Sequence, residues 1–306
     1  MRKLISLSLF IAFCFFIISC KSKTGSSESR LLKFNLEKGK SYDYEMVMDM
    51  DQEVMNQKNK IGMTAAYMID VVDDNGTVKT LDIAYKDFKM NMNVMGQEIN
   101  IDASKKPDSA NTNTSENNPM EMMTNAFSGI IGKKFTMKVN ETGKIEEVTG
   151  FEEMIKSMLA GIATNEEMKN AMEASLKNQF SGEKIKEMFA PMFSAYPNKE
   201  VKVGDKWSNS YDLSSQAVRC NSDYMVKSFQ GDNVVLDVSS KIEPHGEIGN
   251  PALSGMKMNG TQTGTMTINT KNGLIVDAEL NQNLETSGSI KMKMIAKTKM
   301  RGKERS

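Results

Sequence analysis

The chain has 306 residues, with 39 lysines and arginines balanced against 39 aspartates and glutamates. That balance, without a basic stripe, gives no basis for binding nucleic acid or an anionic surface by charge. One histidine and three cysteines are too few to suggest a histidine or cysteine metal centre, so no metal or cofactor is expected.

Residues 1–19 read as a secretion signal. Met1-Arg2-Lys3 is its positive start, and residues 4–18 form an apolar run of about 15 residues, short of the ~20 that span a bilayer as a helix. Ile17-Ile18-Ser19-Cys20 resembles a bacterial lipobox, with a branched aliphatic at −3 and a small residue at −1. Cys20 then becomes the acylated N-terminus and holds the protein to a membrane through its lipid. The plainer alternative is an ordinary signal or short anchor that happens to end in cysteine, and Ile18 departs from the usual small residue at −2. Residues 20–30 are polar and flexible, a tether. No aspartate stands at position 21 and no acidic pair follows the lysine, which points to the outer membrane, facing the periplasm. Cys14 leaves with the signal and Cys20 carries lipid, so Cys220 has no partner for an intrachain disulfide.

Residues 31–148 form the first β half. Tyr42, Tyr44, Met46, Met48 and Met50 alternate with Asp43, Glu45, Asp49 and Asp51, the period of a half-buried strand. Strands at 61–72 and 77–94 follow, joined by the turn Asp73-Asp74-Asn75-Gly76. In the second of them, Leu81, Ile83 and Tyr85 share one phase, and Phe88, Met90, Met92 and Val94 the other. The slip near Lys86-Asp87 predicts a β-bulge and a bent sheet. Residues 103–118 are polar and aperiodic and read as a disordered loop. Within it Asp108-Ser109-Ala110 resembles a short O-glycosylation acceptor. A short helix to about residue 131 and a hairpin over 134–148 complete this half.

Residues 149–196 change to helical period. Phe151, Met154, Ile155, Met158, Leu159 and Ile162 share one face. Thr149-x-x-Glu152 and Thr164-x-x-Glu167 read as capping boxes. A third helix from Gly182 towards Tyr196 carries Ile185, Met188, Phe189, Met192 and Phe193 on its apolar side, with Pro191 kinking or shortening it.

Residues 197–300 form the second β half. Leu36-Glu37-Lys38-Gly39-Lys40-Ser41-Tyr42 parallels Val201-Lys202-Val203-Gly204-Asp205-Lys206-Trp207, and the stretch from Thr136 to Ile145 parallels that from Thr265 to Leu274. Preserved order favours a duplication over chance likeness between β segments. Met292, Met294 and Ala296 give the last strand an apolar face. Lys291, Lys293, Lys297 and Lys299 would guard it as an edge.

The lipobox, Lys38-Gly39-x-x-Tyr42, the run from Gly143 to Met154 and the run from Tyr196 to Trp207 together resemble an uncharacterised family of Bacteroidota lipoproteins, a domain of unknown function. The resemblance implies an envelope location, supplies no activity, and marks Gly204 and Trp207 as structural.

No catalytic residues emerge. There is no G-x-S-x-G elbow to accompany His245, no P-loop and no dinucleotide fingerprint, so an enzyme is not expected. The 27 methionines have three readings. They are pliable core residues, a deformable surface for apolar ligands, or Cu(I) ligands through M-x-M pairs at 46/48/50, 90/92, 256/258 and 292/294. Copper is disfavoured because one strand spaces its sulfurs too widely and histidine is nearly absent.

The expected fold is α+β, mainly antiparallel, a large curved sheet or half-barrel from two similar β halves with an α-helical insert. The candidate ligand residues are Tyr44, Met46, Met48, Met90 and Met92 on strands, facing Met154, Met158, Met188, Phe189 and Met192 on helices. Between them an apolar ligand or lipid would lie. The alternative is a structural or assembly lipoprotein acting through an envelope protein partner.

Overall fold

The protein is described by a computed structural model over residues 28–94, 97–105, 119–160, 166–247, 255–288 and 290–305. The signal, Cys20, most of the tether and of the 103–118 loop, Ser109 and the Thr164 cap lie outside the described residues.

A short strand β1 (Arg30–Leu32) precedes β2 (Ser41–Val54), β3 (Gln57–Asp74), β4 (Val78–Val94) and β5 (Gln97–Asp102). Helix α1 (Pro119–Ile130) leads to β6 (Lys134–Asn140) and β7 (Ile145–Thr149). Helices α2 (Glu152–Ala160), α3 (Glu166–Gln179) and α4 (Gly182–Phe193) follow. Then come β8 (Lys199–Val201), β9 (Lys206–Leu213), β10 (Val218–Gln230), β11 (Asn233–Pro244), β12 (Lys257–Asn269), β13 (Ile275–Ser287) and β14 (Met292–Glu304).

Twelve strands make one antiparallel sheet in the order β7-β6-β4-β3-β2-β14-β13-β12-β11-β10-β9, with β5 beside β4. β5 and β6 pair with opposite ends of β4. β1 and β8 form a separate antiparallel pair. The fold is thus the expected mostly antiparallel one with added helices, and the sheet does not close on itself.

Local chemistry explains the turns. Asp74 Oδ1 accepts the Gly76 N–H at 2.9 Å and Asn75 Oδ1 accepts that of Val78 at 2.9 Å, which fixes the β3–β4 hairpin. The bulge falls where the phase slip puts it. Ala66 pairs with Asp87 and Tyr67 with Tyr85, so Lys86 is the extra residue. By absorbing one residue, it lets both Tyr85 and Phe88 point inwards. The two glycine turns that begin the halves are alike in their bonds. Gly39 N donates to Val71 O and Gly204 N to Val226 O, both at 2.8 Å, with φ of +82° and +89°.

The sheet must curl, and α4 shows by how much. Laid flat, ten inter-strand gaps would span about 48 Å, whereas a twelve-residue helix is about 18 Å long. Yet α4 packs against both edge strands, β7 and β9. Its end at β9 is held by two bonds to backbone carbonyls, Asn209 Nδ2 to Ser194 O (2.6 Å) and Trp207 Nε1 to Ala195 O (3.2 Å). One face of the sheet is therefore enclosed, and the helices pack into it.

Three details differ from expectation. Thr149 does not cap α2: it ends β7 opposite Thr136, and Gly150 at φ +91° turns the chain so that Phe151 O receives the Ile155 N–H. β14 is not an edge. It sits between β13 and β2, so its lysines face outwards against acidic neighbours, as in Lys297–Glu279 at 2.5 Å. β5 interrupts what reads in sequence as a passage straight from β4 into loop.

Candidate ligand-binding face

The enclosed face carries a large packed core, a smaller buried cluster of Val218, Cys220, Ile242, Met258 and Leu284, and a less buried, open part. In the packed part, Phe189 of α4 lies 5.5 Å from Tyr67 and 5.7 Å from Phe135, centroid to centroid, with 1% of its surface exposed. Phe135 stacks on Phe151 at 4.9 Å, and Phe88 on Phe127 of α1 at 4.4 Å. Leu32, Phe34 and Leu36 pass through the same core with no exposed surface.

Of the sequence-chosen residues, Tyr44, Met154, Met158, Phe189 and Met192 are all buried in this one core. Tyr44 Oη accepts the Ile275 N–H at 3.2 Å. Helices and strands meet here directly. Met188 is not on the inward stripe of α4: half its surface is exposed, and its sulfur lies 4.0 Å from the Tyr85 hydroxyl. Met46 and Met90 are half-buried and pack on the core margin, whereas Met48 and Met92 stand half-buried beyond it.

Register shows what the open part is. Met48 pairs with Met63, and Met63 with Met90, three methionines abreast on β2, β3 and β4. The next row runs Ala296–Met50–Ile61–Met92–Ile99 across β14, β2, β3, β4 and β5. Continued the other way from Ala296, that row becomes Gln282–Gln262–Ser240–Ser222–Asn209 across β13 to β9. It contains no carboxylate, amine or guanidinium along its whole length. Sequence reasoning found the β2 and β4 methionines and missed Met63 and the polar half. Met294, marked by the M-x-M pair at 292/294, pairs with Gln52 and Leu284 and packs on the smaller buried cluster instead.

Electrostatics keep this face neutral. Burial pushes the Tyr44 phenol up, opposed by the hydrogen bond its oxygen accepts from the Ile275 N–H. Burial likewise raises Tyr67, Tyr85, Tyr196, Tyr211 and Tyr224. The charges sit on the other face, where Asp43, Glu45, Asp49 and Glu53 of β2 pair in register with Lys303, Arg301, Lys297 and Lys293 of β14.

A cavity of about 660 Å³ lies elsewhere, at the seam between the β6–β7 turn, α4 and the free edge of β9. Its lining is mixed, with Lys144, Lys186, Glu187 and Asp212 beside Ile145, Phe193 and Tyr211. Among the described residues no cluster of three or more His, Cys, Asp or Glu could hold a metal ion. No helix among them is long and apolar enough to cross a membrane.

A family of unknown function, DUF6263, matches residues 76–275. The chain belongs to that family. No curated protein matches it. Among solved structures, a lipovitellin described for its lipid–protein interactions aligns at TM-score 0.47 and 9% identity, covering 89% of this chain and 26% of its own. The chain thus spans about a quarter of that structure. OccK5 (OpdH) of Pseudomonas aeruginosa aligns at TM-score 0.22 and 7% identity, covering 89% of this chain and 100% of its own. The β domain of the Bordetella autotransporter BrkA aligns at 0.28 and 6%, covering 85% and 98%. The DUF6263 match carries no activity with it.

Proposed function

We propose that this DUF6263 protein is a cell-envelope lipoprotein that holds an apolar ligand or lipid on the open half of its enclosed sheet face. One observation carries the ligand reading: the uncharged, partly exposed methionine surface formed by Met48, Met50 and Met92, with Met63 at the core margin between them. A surface this apolar, left partly uncovered inside a curled sheet, is what a binding face offers and a finished core does not. Methionine suits it, because unbranched thioether chains adapt to irregular guests. The packing of α2 and α4 moves the site away from the helix–sheet contact and onto the strands beyond it.

The lipobox supports the anchor. In this reading Cys20 carries the lipid, the tether spans the headgroups, and the β domain faces the periplasm at the outer membrane. The role assigned is binding, not turnover.

Two experiments test the two parts. Cys20→Ala should shift the protein out of the detergent phase on Triton X-114 partition, and unchanged partition would overturn the anchor. Titration with a fluorescent fatty acid should show saturable uptake that a non-fluorescent apolar competitor reverses. A linear, non-saturating signal would overturn the binding face and leave a scaffold acting through a protein partner.

A further inference from the structure

The row that crosses ten strands changes character in the middle. From β14 to β5 it is Ala296, Met50, Ile61, Met92 and Ile99, and from β13 to β9 it is Gln282, Gln262, Ser240, Ser222 and Asn209. Each half crosses four inter-strand gaps, about 19 Å. Within the polar half the outer members are satisfied by the protein. Ser222 and Ser240 are buried and bond each other at 2.8 Å, and Asn209 donates to Ser194 O at 2.6 Å.

The inner members are not. Gln262 and Gln282 are direct register partners on β12 and β13, both half-buried, and neither amide has a hydrogen-bond partner among the described residues. Gly260 and Gly264 stand on either side of Gln262 along the same strand face, so no side chain of β12 crowds it. Two amides without protein partners thus stand side by side where the polar half meets the methionine half, their donors and acceptors free to bond a ligand.

We propose that Gln262 and Gln282 are the headgroup site for an uncharged amphiphile, whose acyl chain lies along the Ala296–Ile99 half of the row. The inference rests on the binding face proposed above and names its ligand class. A neutral head rich in hydroxyl or amide groups, such as that of a monoacylglycerol, can both donate to and accept from the two amides. A carboxylate or phosphate head finds no cation anywhere on the row, and an unpaired charge taken out of water is strongly disfavoured.

The test compares ligands of one chain length on the full protein: 1-monooleoylglycerol, oleate at pH 8, and an uncharged hydrocarbon probe without a head. Monooleoylglycerol should bind at least about tenfold tighter than oleate. In Gln262→Leu/Gln282→Leu the hydrocarbon probe should bind as in the wild type while the monoacylglycerol advantage falls towards one. Equal wild-type affinity for monooleoylglycerol and oleate, or tighter oleate binding, would overturn the headgroup site while leaving the apolar face standing. Failure of all three ligands to bind would overturn the face itself. The wild-type comparison needs no variant to fold. For the double variant, an unchanged unfolding midpoint establishes that lost preference comes from the amides.

Discussion

The packed and open parts of the enclosed face are built from the same strands and from similar residues, yet they do different things. On β2, Tyr42 and Tyr44 are buried in the core that also takes in the helices, while Met48 and Met50, a few residues further along the same face, remain partly exposed. Aromatic rings dominate the first part and thioethers the second. Rings of fixed shape interlock with helices into one arrangement, whereas methionines leave a surface that accommodates. Packing against helices is one route into the core, and strand residues alone provide another: Val218, Cys220, Ile242, Met258 and Leu284 are buried together without a helix residue among them.

That comparison is broken most severely by removing a ring from the packed side. Phe189→Ala should cost about 3–5 kcal/mol, as buried phenylalanine truncations do, because the ring touches Tyr67 and Phe135 and nothing can collapse into its place. Urea unfolding at neutral pH measures it. A loss below about 1 kcal/mol would mean that α4 is held by its ends alone.

A smaller effect sharpens the contrast between inner and outer charges. Lys79 is buried, and its amine meets Asp74 Oδ2 at 2.6 Å. The hydrogen bond from Lys79, opposed by partial burial and aided by the Gly76 N–H, holds the Asp74 carboxyl below its ordinary value. A depressed folded pKa means that its stabilisation is present above the unfolded carboxylate range, about pH 4, and is lost as pH falls through the folded value. Asp74→Asn should therefore cost about 1–3 kcal/mol at pH 7, because a buried ammonium loses its ionic partner. It should also flatten the fall in stability below pH 4. An acid limb as steep as the wild type's would show that Asp74 contributes nothing to it.

Much of this fold was legible in the sequence because its strands are long and strictly alternating. Period two gave β2 and β4, the phase slip gave the bulge at Lys86, and i, i+3, i+4 spacing gave α2 and α4. Short or polar pieces were not legible. β1 and β8 have three residues each, and the polar start of β3 from Gln57 to Lys60 shows no alternation. β5 did carry a signal, Ile99 and Ile101 two apart, within a stretch that otherwise reads as loop. The pairing of β14 with β2 joins residues some 240 positions apart, and no local pattern encodes it. Part of the candidate face was illegible for that reason: Met63 joins Met48 and Met90 only through register. Met188 was placed on the wrong face for another. It sits on the flank of the apolar stripe of α4, where spacing alone does not separate a core residue from a rim residue.

The smallest expected effect falls on the open side, and its smallness is the point. Met92 pairs with Ile61 and Ile99 and stands outside the buried core cluster. A side chain already partly in water has less transfer free energy to lose, and truncating it opens no closed cavity. Met92→Ala should therefore cost below about 1 kcal/mol in the unliganded protein, well under the 2–5 typical of buried methionine. With ligand present the ordering should reverse. A ligand that binds only the folded state raises stability by RT ln(1 + [L]/Kd), so a variant that weakens binding loses part of that increment. Thermal unfolding of wild type and Met92→Ala, each with and without a saturating apolar ligand, separates the two contributions. A smaller ligand-induced rise in Tm for Met92→Ala, together with near-equal unliganded values, places Met92 on the binding face. An unliganded loss of 2 kcal/mol or more would make Met92 part of the core after all, and the open half of the sheet an extension of the packed one.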